Sequence, residues 1–386
     1  MKIALVHDWF TRLGGAERVL IALHKIFPEA SIYTLFYDKK FASEYLPHAK
    51  IIPSFLQKIP NIKKFHPWFK VLMPLAIESL NFSGFDSVIS SSHEFSHGIL
   101  LKQKSKHICY YHSPSRILWD RANEYVEDFK KSGRGSIKIS LIKLGQHFLR
   151  LWDWPAGQRP DIVIANSNHV AKRIKKYYGR EAKVIYPPVD INSKSQILNP
   201  KHIQNSKFKI QSYFLIVSQL YPHKNIDLAI KTFKLLNLNL VIIGEGPEKR
   251  RLKKLIGDSI NIKLLGFIPD EKLPYFYENC LAYLICNEED FGISPIEAMS
   301  FGKPVLAYKS GGAAETVLSG ITGEFFDKLE QDELAEAVES ISKKIKNDCY
   351  NNAGIRKYSE KFGFERFKKE ILDILESLKY YGHESI

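Results

Sequence analysis

The feature that most constrains this chain is an alternation. Short runs of β-branched and aliphatic residues recur along it, too brief for helices, and longer segments of helical period separate them. Residues 3–6, 87–89, 108–111, 162–165 and 184–186 read as strands in the first half, and 214–217, 240–243, 262–265, 282–285 and 304–307 in the second. Among the segments between them, 17–26, 227–235 and 247–256 have the helical period. Strands that are apolar on both faces and joined through helices predict parallel sheets covered on both sides. The class is doubly wound α/β.

Pro187 and Pro188 stop the last strand of the first half, because proline has no amide hydrogen to give a ladder. The stretch 191–211 is rich in Asn, Ser, Lys and Gln and has little periodicity, and a new buried strand opens at Phe214. The expected organisation is an N-terminal Rossmann-like domain at 1–190, a linker at 191–206 and a C-terminal Rossmann-like domain at 207–365. A final helix at 366–386 packs back on the first domain. A chain of 386 residues is long enough for two cores.

With Lys+Arg at 56 and Asp+Glu at 42, the formal charge is +14, which favours anionic partners without choosing among them. A nucleic-acid binder is not favoured, because no reading module is recognisable. Two stretches mix basic and apolar residues. Residues 52–75 interleave Phe55, Phe65, Trp68 and Phe69 with Lys58, Lys63, Lys64 and Lys70 and hold no acid. Residues 130–154 are similar. Either can dock on an anionic membrane surface or pack as an ordinary amphipathic helix, and the first is the stronger membrane candidate. Cys109, Cys280, Cys286 and Cys349 stand apart without a C-x-x-C pair, so zinc is not expected and reduced core thiols are. The chain opens directly into a strand, and no apolar run nears the ~20 residues that span a bilayer. A cytoplasmic protein is expected, or one peripheral on the inner membrane face.

The strongest local signal is Glu289-Asp290-Phe291-Gly292-Ile293-Ser294-Pro295-Ile296-Glu297, which follows a strand. Ser294 suits an N-cap, Pro295 the first helical position and Glu297 the third residue of a capping box. A helix N-terminus at the carboxyl end of a parallel sheet offers amides and a dipole to a phosphate. The alternative is a capped helix that binds nothing. Gly14-Gly15 stands between the first strand and first helix, where backbone can approach a ligand. Neither it nor Gly244-x-Gly246 has dinucleotide spacing. Lys224 precedes a helix that Asn225 can cap, a sensible partner for a diphosphate. His112 ends a strand, where it can meet a sugar or phosphate or be structural.

These residues resemble the retaining glycosyltransferases of family 4, which have the GT-B fold. The similarity covers most of the chain and keeps motif order. It runs from Val6-His7-Asp8-Trp9 and Gly14-Gly15-Ala16-Glu17 through Tyr111-His112-Ser113-Pro114 and Ala165-Asn166-Ser167-Asn168. It continues through Val217-Ser218-Gln219-Leu220 with Lys224, Gly244-Glu245-Gly246-Pro247 and Gly266-Phe267 to Glu289–Glu297 and Gly311-Gly312-Ala313-Ala314-Glu315. It looks most like the mannosyltransferase branch of bacterial surface-polysaccharide assembly.

The resemblance implies a ligand cleft between two Rossmann-like domains and transfer of a hexose, mannose from GDP-mannose as the best guess. The acceptor would be a saccharide or lipid-linked saccharide. The catalytic residues it implies are Glu289, His112 and Lys224. The donor-binding residues are Gly15, Gln219, Lys224, Phe267, Phe291, Gly292, Ile293, Ser294 and Glu297. Gly15 would offer its amide to the diphosphate, Lys224 would neutralise the leaving nucleotide, and Glu297 would hold the ribose. Glu289 and His112 would contact the sugar, the amides at Ile293 and Ser294 the phosphates, and Phe267 would lie near the base. No metal or cofactor is implied, and no nucleic-acid partner. Gln219 departs from the arginine that the family usually places five residues before this lysine. UDP- or dTDP-sugar transfer, a non-catalytic partner subunit on the same fold and a sugar-nucleotide epimerase are the alternatives.

Overall fold

In the computed structural model, which describes residues 1–131, 136–190 and 212–381, the chain forms two compact units. The first comprises Met1–Pro187 with Lys368–Ile386, the second Pro188–Phe367. The expected linker, 191–206, lies outside the described residues.

Among the described residues the first unit holds a seven-stranded sheet: β1 (Ile3–Phe10), β2 (Ser31–Tyr37), β3 (Ile51–Pro53), β4 (Ser87–Ser92), β5 (Lys106–Tyr111), β6 (Ile162–Ala165) and β7 (Lys183–Val184). Their order is β3-β2-β1-β4-β5-β6-β7 and the pairings are parallel. Among the described residues the second unit holds six strands, β8 (Tyr213–Val217), β9 (Leu240–Ile243), β10 (Ile262–Gly266), β11 (Cys280–Ile285), β12 (Val305–Tyr308) and β13 (Gly323–Phe326). They are also parallel, in the order β10-β9-β8-β11-β12-β13. Each unit is a doubly wound, Rossmann-like α/β domain. In each sheet the order reverses beside the first strand, between β1 and β4 and between β8 and β11. Loops leaving the carboxyl ends of those strands part in opposite directions, which opens room for a ligand.

Every predicted strand overlaps an observed one. The sequence expectation omits β2, β3 and β13 and ends β4 too early, at Ile89. The strand runs on through Ser90, Ser91 and Ser92 and is buried throughout. Buried hydroxyls are tolerable when each has a partner. Ser90 Oγ lies 2.8 Å from His107 Nε2, Ser91 Oγ 2.8 Å from His112 Nε2, and Ser92 Oγ 3.2 Å from His97 Nδ1. Cys109, Cys280 and Cys286 are buried free thiols, but Cys349 is exposed, so the expectation of core thiols fails for that residue.

The core of the second unit is continuous aliphatic and aromatic packing around Phe214, Phe233, Ile242, Leu306, Phe326 and Val338. The first unit adds a buried polar anchor. Asp153, in the helix Ser136–Ala156, is fully buried. It accepts from Trp119 Nε1 at 2.7 Å and Tyr178 OH at 2.8 Å, with His97 Nε2 at 3.3 Å. Asp153→Ala strands those donors and is expected to cost about 2–4 kcal/mol, read as a lower midpoint in urea unfolding.

Candidate functional site

The candidate residues collect into two groups, one at the carboxyl edge of each sheet. In the first unit, β1 delivers His7 and Asp8 to the edge, and the helix Gly15–Ile26 follows with Gly14 at its N-cap and no side-chain cap. Gly15 therefore opens the first turn, where the amides have no helical partner. Asp8 is fully buried and accepts from the backbone amides of His93 (2.7 Å), Glu94 (2.9 Å), Phe95 (2.7 Å) and Ser96 (2.6 Å). His93 Nδ1 lies 2.8 Å from the same carboxylate. Burial pushes the Asp8 carboxyl up, but the His93 charge and hydrogen bond outweigh it and hold Asp8 far below the usual carboxylate range. Burial likewise pushes His93 down, and Asp8 more than reverses this, so His93 is raised.

His7 Nδ1 sits 3.0 Å from the carbonyl and 3.2 Å from the hydroxyl of Ser91, and its Nε2 is 3.9 Å from Glu17. Glu17, 7 % exposed, is lowered because His7 outweighs the burial penalty. His112 stands just beyond β5, its Nε2 on Ser91 Oγ and its carbonyl accepting from Asn166 Nδ2 at 3.0 Å. Burial, with His7 and His93 nearby, drives its proton affinity well below the ordinary imidazole value. It is a neutral ring at physiological pH, able to hydrogen-bond a hydroxyl without adding charge.

In the second unit, β8 leads into the turn that carries Gln219 and Lys224, and β11 leads into Glu289 and the helix Ile293–Ser300. The two loops meet in an ion pair, Lys224 Nζ to Glu289 Oε1 at 2.6 Å. Burial pushes Glu289 up, but Lys224, with Asn287 and His223 adding, holds it below the usual carboxylate range. Glu289 is therefore an anion at neutral pH and no general acid. Gly292 has φ +87°, a backbone region that other residues rarely adopt, and it turns the chain into the helix. Gly311, at φ +59°, lets the loop after β12 press against the carbonyl of Glu289.

Two expectations need correction. The helix starts at Ile293 with Gly292 as N-cap and no side-chain cap, so Ser294 is not the cap and Glu297 closes no capping box. Glu297 is instead buried and accepts from Tyr277 OH at 2.7 Å. Asn225 stands at the N-cap of the helix Ile226–Leu235 but does not cap it, since its Nδ2 donates to the Cys286 carbonyl at 2.9 Å and ties the two loops together. Phe291, another donor candidate, is 2 % exposed with its ring 5.8 Å from that of Phe362. Of the other donor candidates, Ile293 and Ser294 lie in the first turn of their helix and Gln219 is half-buried beyond β8. Phe267 follows β10, 69 % exposed, with its amide donating to Glu245 at 3.2 Å.

The structure thus brings Gly15 and His112 to one edge, and Lys224, Gln219, Glu289, Gly292, Ile293 and Ser294 to the other. Sequence reasoning assigned no role to His7, Asp8, Glu17 or His93, although two polar residues, His7 and Asp8, directly after a buried apolar run are themselves a signal. The Asp8–His93 pair gives a pH dependence. The raised His93 contributes in full below the ordinary imidazole range and loses its contribution as pH climbs through its folded value. The depressed Asp8 contributes above the ordinary carboxylate range. The pair is at full strength between about pH 4 and pH 6.5. Asp8→Asn is expected to cost about 3 kcal/mol at pH 6 and measurably less at pH 9, compared by urea unfolding at both.

Comparison with known proteins fits this geometry. A family model described as Glycosyltransferase Family 4 matches residues 13–193, and one described as Glycosyl transferases group 1 matches 199–356. An uncharacterised glycosyltransferase of Methanocaldococcus jannaschii is 23% identical over 389 residues, covering 98% of this chain and 99% of its own. The α-1,3/1,6-mannosyltransferase ALG2 of Candida glabrata is 26% identical over 444 residues, 96% of this chain and 91% of its own. Among solved structures, Anabaena HepE in complex with UDP and glucose superposes with TM-score 0.70 at 22% identity, covering 98% and 100% of the two chains. WaaG, a glycosyltransferase involved in lipopolysaccharide biosynthesis, does so with TM-score 0.63 at 16% identity, covering 96% and 99%. With its two Rossmann-like domains of the GT-B type and family matches along both halves, the chain belongs to glycosyltransferase family 4.

Proposed function

We propose that this transferase moves a hexose, mannose from GDP-mannose in the first instance, onto a saccharide or lipid-linked saccharide in surface-polysaccharide assembly, with retention and without a metal ion. The observation that carries the reading is the Lys224–Glu289 pair beside the Ile293 helix N-terminus. Cleaving the anomeric bond leaves positive charge on the sugar and negative charge on the diphosphate. A cation and free amides on one side and an ionised carboxylate close by match that separation. In the proposed step the C1–O bond to the diphosphate breaks and the acceptor oxygen bonds C1 from the same face. The acceptor proton passes to a diphosphate oxygen. Lys224, Gly15 and the amides at Ile293 and Ser294 stabilise the leaving group, Glu297 holds the ribose and Phe267 lies by the base. Glu289 and the neutral His112 orient the sugar.

Mannose is supported by the mannosyltransferase names of relatives such as ALG2. A UDP-sugar is the second reading, favoured by HepE, whose structure holds UDP and glucose. Gln219 adds no charge to the leaving group, so Lys224 bears more of that task than it would beside an arginine.

Because Lys224 and Glu289 occupy each other in the absence of donor, the two substitutions separate. Lys224→Ala is expected to abolish the thermal stabilisation by GDP or UDP and to lower kcat about 10²–10³-fold. Glu289→Gln releases Lys224, so nucleotide stabilisation persists while transfer from the sugar nucleotide falls. Equal loss of nucleotide binding in both variants overturns these roles. Stabilisation by UDP but not GDP replaces the donor.

A further inference from the structure

Most surface helices bury apolar residues and expose polar ones. The helix Ser136–Ala156 does much of the reverse. Its inward groups include Gln146, whose Nε2 donates to the Ile117 carbonyl at 3.0 Å, and the fully buried Asp153. Trp152 also donates inward, to Glu78 Oε1 at 2.7 Å. Its outer face carries Leu141 (61 % exposed), Leu144 (52 %), Phe148 (55 %) and Leu151 (60 %), at spacings that stack them in one stripe. Trp154 extends it, 52 % exposed.

A second apolar surface adjoins the first. Trp68, Val71, Leu72 and Leu75, all exposed, come from the 3₁₀ helix His66–Leu72 and the short helix Met73–Glu78. Val71 stands over Gly145, its Cγ2 at ordinary contact distance from where a side chain there would begin, so the two surfaces adjoin within the first unit. A contiguous apolar patch on this scale marks an interaction surface, unlike scattered exposed leucines.

The charges choose the occupant. Residues 52–75 contain no acid, and Asp153, the one acid of the helix Ser136–Ala156, is buried. Lys58, Lys64, Lys138 and Lys143 are exposed on the same two segments. An apolar stripe flanked by lysines, with Trp68 and Trp154 on it, matches the boundary of an anionic bilayer, which takes apolar side chains below its headgroups and cations at them. None of the described helices is long and apolar enough to cross a membrane, so such contact lies in the interface plane.

We propose that this face of the first unit docks on an anionic bilayer, with the helix Ser136–Ala156 lying along the surface and the segment 65–75 beside it. The inference stands apart from the transferase reading, since it uses none of the residues assigned to donor or sugar.

The test is flotation of the full chain with vesicles of phosphatidylcholine alone and of phosphatidylcholine mixed with phosphatidylglycerol. The native chain is expected to float with the mixed vesicles and far less with the neutral ones. Leu144→Glu combined with Phe148→Glu should reduce flotation at least about tenfold. Both positions are exposed, so the melting temperature and its shift with nucleotide should stay unchanged. Lys138→Glu with Lys143→Glu should remove the preference for the anionic lipid. No flotation of the native chain with either vesicle overturns the proposal, as does equal flotation of the Leu144/Phe148 variant. Sedimentation velocity covers the competing occupant. A dimer that the Leu144/Phe148 variant dissociates, without vesicle binding, assigns the face to a second copy of the chain and overturns the bilayer.

Discussion

Parallel pairing is the constraint on which everything else in this molecule rests. A parallel strand must be followed by a crossover that returns the chain to the same end of the sheet. The turns that follow the strands therefore gather at one edge. Where the order reverses, between β1 and β4 and between β8 and β11, neighbouring turns leave in opposite directions. Polar and charged residues stand at that edge while the strands beneath them stay buried. Asp8, His93 and His112 occupy it in the first unit, Lys224 and Glu289 in the second.

Burial dictates how these groups are held. A carboxylate taken out of water is costly unless it is paired and hydrogen-bonded. Asp8 meets that condition with four backbone amides and His93, and Glu289 with Lys224. The outcomes differ in kind. The Asp8–His93 pair is closed on itself and fixes the turn 93–96, which gives it a structural character. The Lys224–Glu289 pair joins two loops beside a helix start, and its partners can exchange one another for a ligand. His112 takes a third course, paired with a serine hydroxyl and left neutral.

Much of this was legible in the sequence. Apolar runs with no polar face gave the two sheets, and the glycine-punctuated run after β11 gave the second-unit edge. What escaped reading did so for physical reasons. The serines of β4 look like a loop until the histidines that pair with them, far along the chain, are folded against them. Ser294 and Glu297 have capping-box spacing, but Gly292, with its left-handed backbone, starts the helix earlier, and one oxygen of the Glu297 carboxylate, Oε2, accepts from Tyr277 OH. The apolar outer face of Ser136–Ala156 was ambiguous because its period suits a buried stripe equally well. Only Asp153 and Gln146, anchored inward, show which side is out.

The most direct test of the central assignment is a crystal structure of the chain with GDP or UDP bound. A diphosphate oxygen within hydrogen-bonding distance of Lys224 Nζ, with amides of Ile293 and Ser294 turned to the phosphates and the Lys224–Glu289 contact loosened, is the expected result. A nucleotide bound away from the carboxyl ends of β8 and β11, with that ion pair intact, would contradict it.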